Sequence, residues 1–420
     1  MSALGGKRQR GVVAIMVSIG LLALLAMVGL ALDSGHAVLN KARLQNAVDA
    51  SALAAAKVFN ELDSEHQAIA AARNTFDLNA ASQPELSRVM SGADLTVQFS
   101  NTLQPWAPGT TPVYYVRVVA DDFTMWTSFT SLVGITETRM AASAVAGWSP
   151  PLGMTLGNEI CNLVPMMVCA DMAAGQANDW GYDKENVSLL KIGSNHQGPI
   201  GPGNFQLFEM GGSGANIVRQ NLAGQYNQCI DPGSTITTKP GNNTGPTAQG
   251  LNTRFGQYQG GGMNQSEFPP DLVTTETTRT LDVNNNGQVI MKGGGPTQVV
   301  TSANFQQLGF TYDDYVNRTE NGPHNFAAPT GRPHRRVLAV PFVDCTTTVN
   351  GHGTIPVVGL GCFYLLQQVV QKGNENFVYG EYIGNCAAGG TPGPTPDPNP
   401  TTGPGLYTIV LHNDPLSPDS

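Results

Sequence analysis

The sequence predicts an α+β protein: an N-terminal transmembrane helix runs on as a long helix with a small antiparallel sheet, and a larger β-rich exported domain follows. Three features carry this reading. Val12 to Leu32 is a predominantly apolar run of 21 positions with no ionisable side chain. The next hundred residues pass from helix-forming to strand-forming composition. From Leu152 onward, short apolar runs alternate with Gly, Pro, Asn and Thr turns.

A bilayer core needs about 20 apolar helical residues, and hydrocarbon forces a lone run of that length into an α-helix because every backbone polar group must be bonded within it. Lys7, Arg8 and Arg10 precede the run. Basic flanks are retained in the cytoplasm, so residues 1–11 read as a cytoplasmic tail, 12–32 as the span, and everything after Asp33 as periplasmic, on a bacterial inner-membrane protein. The competing reading is a cleaved signal peptide, whose apolar stretch is shorter, roughly 7–15 residues. Gly29 and Ala31 mimic its cleavage site, but the helical pattern continues past it. Within the span, Gly20, Ala23, Ala26 and Gly29 recur every three positions, and small residues let membrane helices approach closely. They are candidates for self-association or for packing against a partner helix.

Asn40 to Phe59 is rich in good helix formers and extends the span outward, with Leu44, Val48 and Leu53 read as a narrow apolar stripe suited to packing on a sheet or on another copy of the same helix, where it would lengthen the association surface. A second helix is predicted over Ser64–Leu78, with Ser64 as N-cap and Ile69, Ala72 and Phe76 inward. Leu95–Phe99, Val113–Ala120 and Arg139–Ala146 read as strands, and Thr127–Val133 as a short helix. These make a unit over residues 33–149. Residues 150–388 form a second domain, with strands at Gly203–Glu209, Val337–Val343 and Cys362–Val370 and helices at Gly214–Leu222 and Thr247–Arg254. Residues 389–405 are a Pro- and Gly-rich linker, and residues 406–420 hold a last strand, Leu406–Leu411, returning to the second domain's sheet.

Cys161, Cys169, Cys229, Cys345, Cys362 and Cys386 all follow the span, where oxidation is the rule, so they are disulfide candidates. Six cysteines pair in 15 ways. Proximity favours Cys161 with Cys169 and Cys345 with Cys362, leaving Cys229 for Cys386. A zinc site would need short spacings such as C-x2-C, which are absent, and His352 reads as a loop residue. With 13% charged residues and a net charge of −9, the chain is no nucleic-acid binder. Arg332–Arg336, RPHRR, reads as the solvated start of a strand, with an anionic partner as the alternative.

No catalytic residue, cofactor site or metal site is assigned. Gly211–Ala215 lacks the last glycine of a nucleophile elbow, and Ser213 reads as the cap of the next helix. Asp282 to Gln288 matches the first half of a calcium loop, but Gly293 stands where a bidentate Glu belongs. The preferred reading is a hairpin with a type I′ turn at Asn286-Gly287.

The opening stretch RQRGVVAIMVSIGLLALLAMVGLALDSGHAVLNKARLQNAVDASALAAA resembles the N-terminal domain of TadG-like proteins of the Flp/Tad tight-adherence pilus system. The residues that carry it are Gly11, Asp33, Gly35, Leu44–Ala47, Asp49-Ala50 and Ala52–Ala56. GNFQLFEMGGSGANIVRQNLAG, KPGNNTGPTAQGLNTRF, VPFVDCT and GCFYLLQ resemble the periplasmic part of a subgroup of these proteins. The resemblance implies a pilin-like helix and sheet, and a non-enzymatic inner-membrane part of a pilus assembly or secretion apparatus that binds pilins or assembly proteins. The alternatives are a minor pilin or adhesin displayed for cell adhesion, and an exported hydrolase. Met16 occupies the position where prepilin peptidases prefer Glu, so a retained anchor is expected. No Asp-x-Ser-x-Ser run is present, so the metal site of some TadG proteins is not carried over.

Overall fold

The computed structural model describes residues 10–62, 64–149, 159–161, 163–194, 196, 199–224, 229–230, 233–321, 331–371, 373–384, 386–387, 389–391 and 406–417. The chain forms two compact units: Met1–Val58 with Glu65–Gly147 and Leu411–Ser420, and Phe59–Ser64 with Trp148–Val410.

In the first unit a single helix, α1, runs from Arg10 to Leu62 without interruption. No proline falls within it, and Ala, Leu and Val keep the backbone ladder continuous along its whole length. The buried side chains of its C-terminal half are Asn40, Leu44, Ala47, Val48, Ser51, Ala52, Ala55 and Ala56, which share one face at spacings of three and four. Leu53 lies off that face, about 180° from Leu44 at 100° per residue, and is only half-buried. The stripe packs on the unit's own sheet. Gln45 Nε2 donates to Ser143 O at 2.8 Å, Asn40 Nδ2 meets Met125 Sδ at 3.1 Å, and Lys41 Nζ donates to Ala141 O. Leu44 and Val48 are therefore occupied within the chain.

Helix α2, Glu65–Ala81, buries Ala68, Ala72, Phe76 and Ala80 at intervals of four, so Ala68 takes the inward place expected of Ile69. A short α3, Pro84–Val89, starts on proline, where a missing N–H costs nothing. Strands β1 (Thr96–Ser100), β2 (Tyr115–Trp126) and β3 (Glu137–Trp148) form an antiparallel meander. Between β2 and β3 the expected short helix contracts to one 3-10 turn, Thr130–Val133.

In the second unit come β4 (Glu159–Cys161), β5 (Val168–Cys169), β6 (Val187–Lys191), β7 (Asn204–Phe208), α4 (Ala215–Ala223), β8 (Cys229–Ile230), β9 (Thr235–Pro240) and α5 (Thr244–Leu251). They are followed by β10 (Thr280–Val283), β11 (Val289–Lys292), β12 (Gln298–Val299), α6 (Tyr312–Asn321), β13 (Val337–Val343), β14 (Thr354–Leu365), β15 (Val378–Gly384), β16 (Cys386–Ala387), β17 (Gly389–Thr391) and β18 (Leu406–Tyr407). The main sheet runs β5-β13-β14-β15-β6, with β9 and then β7 added along β14.

Both faces of this sheet are buried. Leu338, Val340, Phe342, Phe363 and Leu365 pack with Val218, Leu222, Leu251 and Phe255 of the α4–α5 layer. Ala339, Val343, Cys362 and Tyr364 pack with Leu281, Met291, Phe305, Leu308 and Tyr315 on the other side. Alternate residues of a strand point to opposite faces, so double burial produces the continuous apolar run of Val337–Val343. The strand expected at Cys362–Val370 instead spans Thr354–Leu365. Pro356, Gly359 and Gly361 disguise its first half. The two glycines make room for rings: a Cβ would lie 2.3 Å from Trp180 at Gly359 and 2.4 Å from Phe342 at Gly361.

The chain's end departs from the expected return. Gly389–Thr391 pairs with β4, and residues 392–405 lie outside the described residues. Leu406–Tyr407 pairs with β16, and the last strand, β19 (Ile409–His412), is added beside β3. Leu411–Ser420 thus belongs to the first unit.

All six cysteines are paired, but as Cys161–Cys229, Cys169–Cys345 and Cys362–Cys386. Strand register, not sequence proximity, decides this. Cys161 faces Cys229 across β4 and β8. Cys169 faces Val343, two residues before Cys345. Cys362 faces Gly384, two residues before Cys386.

Candidate functional site

The apolar half of α1 is turned outward. Val13 is 60% exposed, Met16 69% and Leu32 55%, and the most apolar 18-residue window, with mean hydropathy 2.7, is only 6% buried. A core helix of a water-soluble fold would show the opposite. Gly20 has no neighbour that a Cβ would touch, and Ala23 and Ala26 are exposed. Gly29 differs from them: it is buried, and a Cβ there would lie 2.6 Å from Phe129 Cβ. The chain's own loop therefore covers one of the four association candidates.

That loop is held by Asp33. Its carboxylate accepts the backbone N–H groups of Ser128 at 3.2 Å, Phe129 at 2.9 Å and Thr130 at 2.7 Å, and the Thr130 hydroxyl at 3.0 Å. Such charge-assisted bonds to successive N–H groups satisfy the open end of the 3-10 turn, as a local cap would. Asp33 was visible in the sequence only as a residue leaving the membrane. Its partners, and Phe129 over Gly29, lie about a hundred residues away, beyond the reach of any local pattern.

The second unit holds its ionisable groups inside the core. Arg336, read from the sequence as solvated, is fully buried between the rings of Phe255 and Tyr364, with Cζ 4.5 and 4.4 Å from their centroids. Its guanidinium donates to Leu365 O, Leu366 O, Val273 O and Thr275 O at 2.7–3.1 Å. Asp271 accepts the Arg336 N–H at 2.9 Å and the Tyr315 hydroxyl at 3.0 Å. Burial pushes the Asp271 carboxyl up, opposed by the Val273 N–H and the Arg336 charge. Lys191 Nζ donates to Asn242, Asn376 and Ile192 O, and burial lowers its pKa to about 7. Burial raises Glu381 to about 8, opposed by the Tyr312 N–H that it accepts at 2.7 Å. These groups are spent on backbone carbonyls and amides, as internal ties are.

Asp282 to Gln288 is the expected hairpin between β10 and β11. Its turn has three residues: Asn284 N–H donates to Gln288 O, and Gly287 takes φ 78°. The proposed oxygen ligands are engaged, Asp282 by Lys292 Nζ at 2.8 Å and Asn284 Oδ1 by two backbone N–H groups at 2.9 Å. His352 is exposed and 3.4 Å from Glu209. Helix α4 is capped by Gly214, not Ser213. Among the described residues no three His, Cys, Asp or Glu side chains are grouped to hold a metal. In the first unit a cleft of about 440 Å³ is lined by Lys41, Arg117, Asp121, Arg139 and Ser143. Its cations are engaged by Ala141 O, Asp414 and Asp122 respectively.

The outward-facing apolar stretch of α1 is long and apolar enough to cross a membrane, and it continues into the helix that packs on the small sheet. Residues 11–58 match the family model described as "Putative Flp pilus-assembly TadE/G-like". Over this segment the chain is similar to TadE/G-like proteins, and the match and the apolar helix together fit a Tad/Flp pilus-associated membrane protein. Neither a curated protein nor a solved structure matches the chain.

Proposed function

We propose that the protein is a non-enzymatic, single-pass inner-membrane component of a Tad/Flp pilus assembly or secretion apparatus, with its N-terminus cytoplasmic and its exported units binding pilins or other machine subunits. The observation that carries this is the TadE/G-like match falling on the apolar helix and its outward extension. Basic residues before the span support the orientation, since such residues stay inside. Purification of the tagged full chain from detergent-solubilised inner membranes of its host tests this. Enrichment of Flp pilins or Tad assembly subunits is expected. No enrichment of any such subunit, with normal piliation in a deletion strain, would overturn the proposal.

A further inference from the structure

We infer that the β2–β3 loop is a membrane foot, with Trp126, Phe129 and Ile135 seated in the lipid interface beside the point where α1 leaves the bilayer. The inference rests on α1 being a span. Phe129 packs on Gly29, which lies within the apolar run Val12–Leu32. At a rise of about 1.5 Å per residue, Gly29 sits roughly 4.5 Å inside the last apolar position. A ring held over Gly29 lies at about the depth of Leu30, and the side chains of Leu30 and of Leu32 just beyond it are 59% and 55% exposed to whatever surrounds the helix.

The loop's composition and bonding suit that depth. From Met125 to Thr136 there is no charged residue. Trp126 is 66% exposed, Phe129 46% and Ile135 55%, and a Trp at this level is what membrane–water interfaces favour. The backbone is closed on itself: Thr127 N–H donates to Thr136 O at 3.0 Å, Gly134 N–H to Ser131 O at 3.1 Å and Ile135 N–H to Thr130 O at 3.1 Å. Ser128, Phe129 and Thr130 give their N–H groups to Asp33. Few backbone donors are left needing water, as an apolar surrounding demands. Helix and loop together give the first unit two attachments to the bilayer, which fixes its tilt as well as its height.

The test is tryptophan quenching in the full-length chain, reconstituted in bilayers with acyl chains brominated near the headgroup or near the bilayer centre. Resistance to carbonate extraction separately reports whether α1 inserts. Shallow bromines should quench more than deep ones, and Trp126→Phe should remove more than half of the quenchable emission. Asp33→Ala should lower the quenching toward that of Trp126→Phe while the chain stays carbonate-resistant. An inserted chain that is unquenched, or whose quenching is unchanged by Trp126→Phe, overturns the inference. So does protection of Trp126 from both bromines and aqueous iodide, which would mean a protein covers the loop. A chain that fails to insert instead removes the anchor reading itself.

Discussion

Arg117 on β2 donates from Nε to the Asp414 carboxylate at 2.7 Å, joining residues 297 apart in sequence. The Asp414 side chain is fully buried and Arg117 is 12% exposed, so neither charge has water as a ready substitute. Asp414→Ala should destabilise the first unit by about 1.5–3 kcal/mol, the usual worth of a hydrogen bond to a charged group. Thermal unfolding of the full chain followed by hydrogen exchange in β2 and β3 checks this. Unchanged protection there would mean that the tail adds nothing to the sheet.

Arg336 is a tie among loops and strands that no Lys can replace, because its planar fork serves four carbonyls at once. Arg336→Lys should cost about 3–5 kcal/mol, the range seen when a buried charge loses its partners. Denaturant unfolding of the second unit's near-ultraviolet signal measures it. A loss below about 1 kcal/mol would show that the cation contributes packing only.

Glu381 gives a pH signature. Burial raises its pKa from 4.5 to about 8, so between those values the folded chain keeps a proton that the unfolded chain has lost. This group's contribution is complete below pH 4.5 and falls as pH rises toward 8, by at most about 1.4 kcal/mol per pH unit. Glu381→Gln should flatten that decline in a series of unfolding curves. An identical slope in the variant would contradict it.

The disulfides differ in the chain they close, 176 residues for Cys169–Cys345 against 24 for Cys362–Cys386. On loop entropy alone, Cys169→Ser with Cys345→Ser should cost about 5 kcal/mol, and Cys362→Ser with Cys386→Ser about 3. Peptide mapping without reduction should recover the three pairs, Cys161–Cys229 among them. Recovery of a Cys161–Cys169 peptide would contradict the register of the sheet.

What could be read from the sequence follows from how local each cause is. The long apolar helix was legible because hydropathy over one run decides it. Val337–Val343 was legible because burial on both faces leaves an unbroken apolar stretch. The cysteine pairs were not, because register between strands sets them, and Cys169 meets Cys345 only once β5 lies along β13. Arg336 was misread because its partners, Val273 to Leu366, are distant in sequence, and a run of Arg and His looks solvated without them. Leu53 was placed on the stripe by composition, where the helical angle puts it off. Trp126 and Phe129 carried one unused signal, large apolar residues in a short strand-to-strand connection.

In the proposed role α1 stays in the membrane as an intact anchor. Mass spectrometry of the chain's N-terminal region, recovered from the inner membrane of its host, tests this directly. The anchor reading predicts chains that retain Lys7–Arg10 joined to the full apolar run Val12–Leu32. Chains that begin at Val12, as a processed pilin would, or beyond Leu32, as after signal-peptide removal, would contradict it.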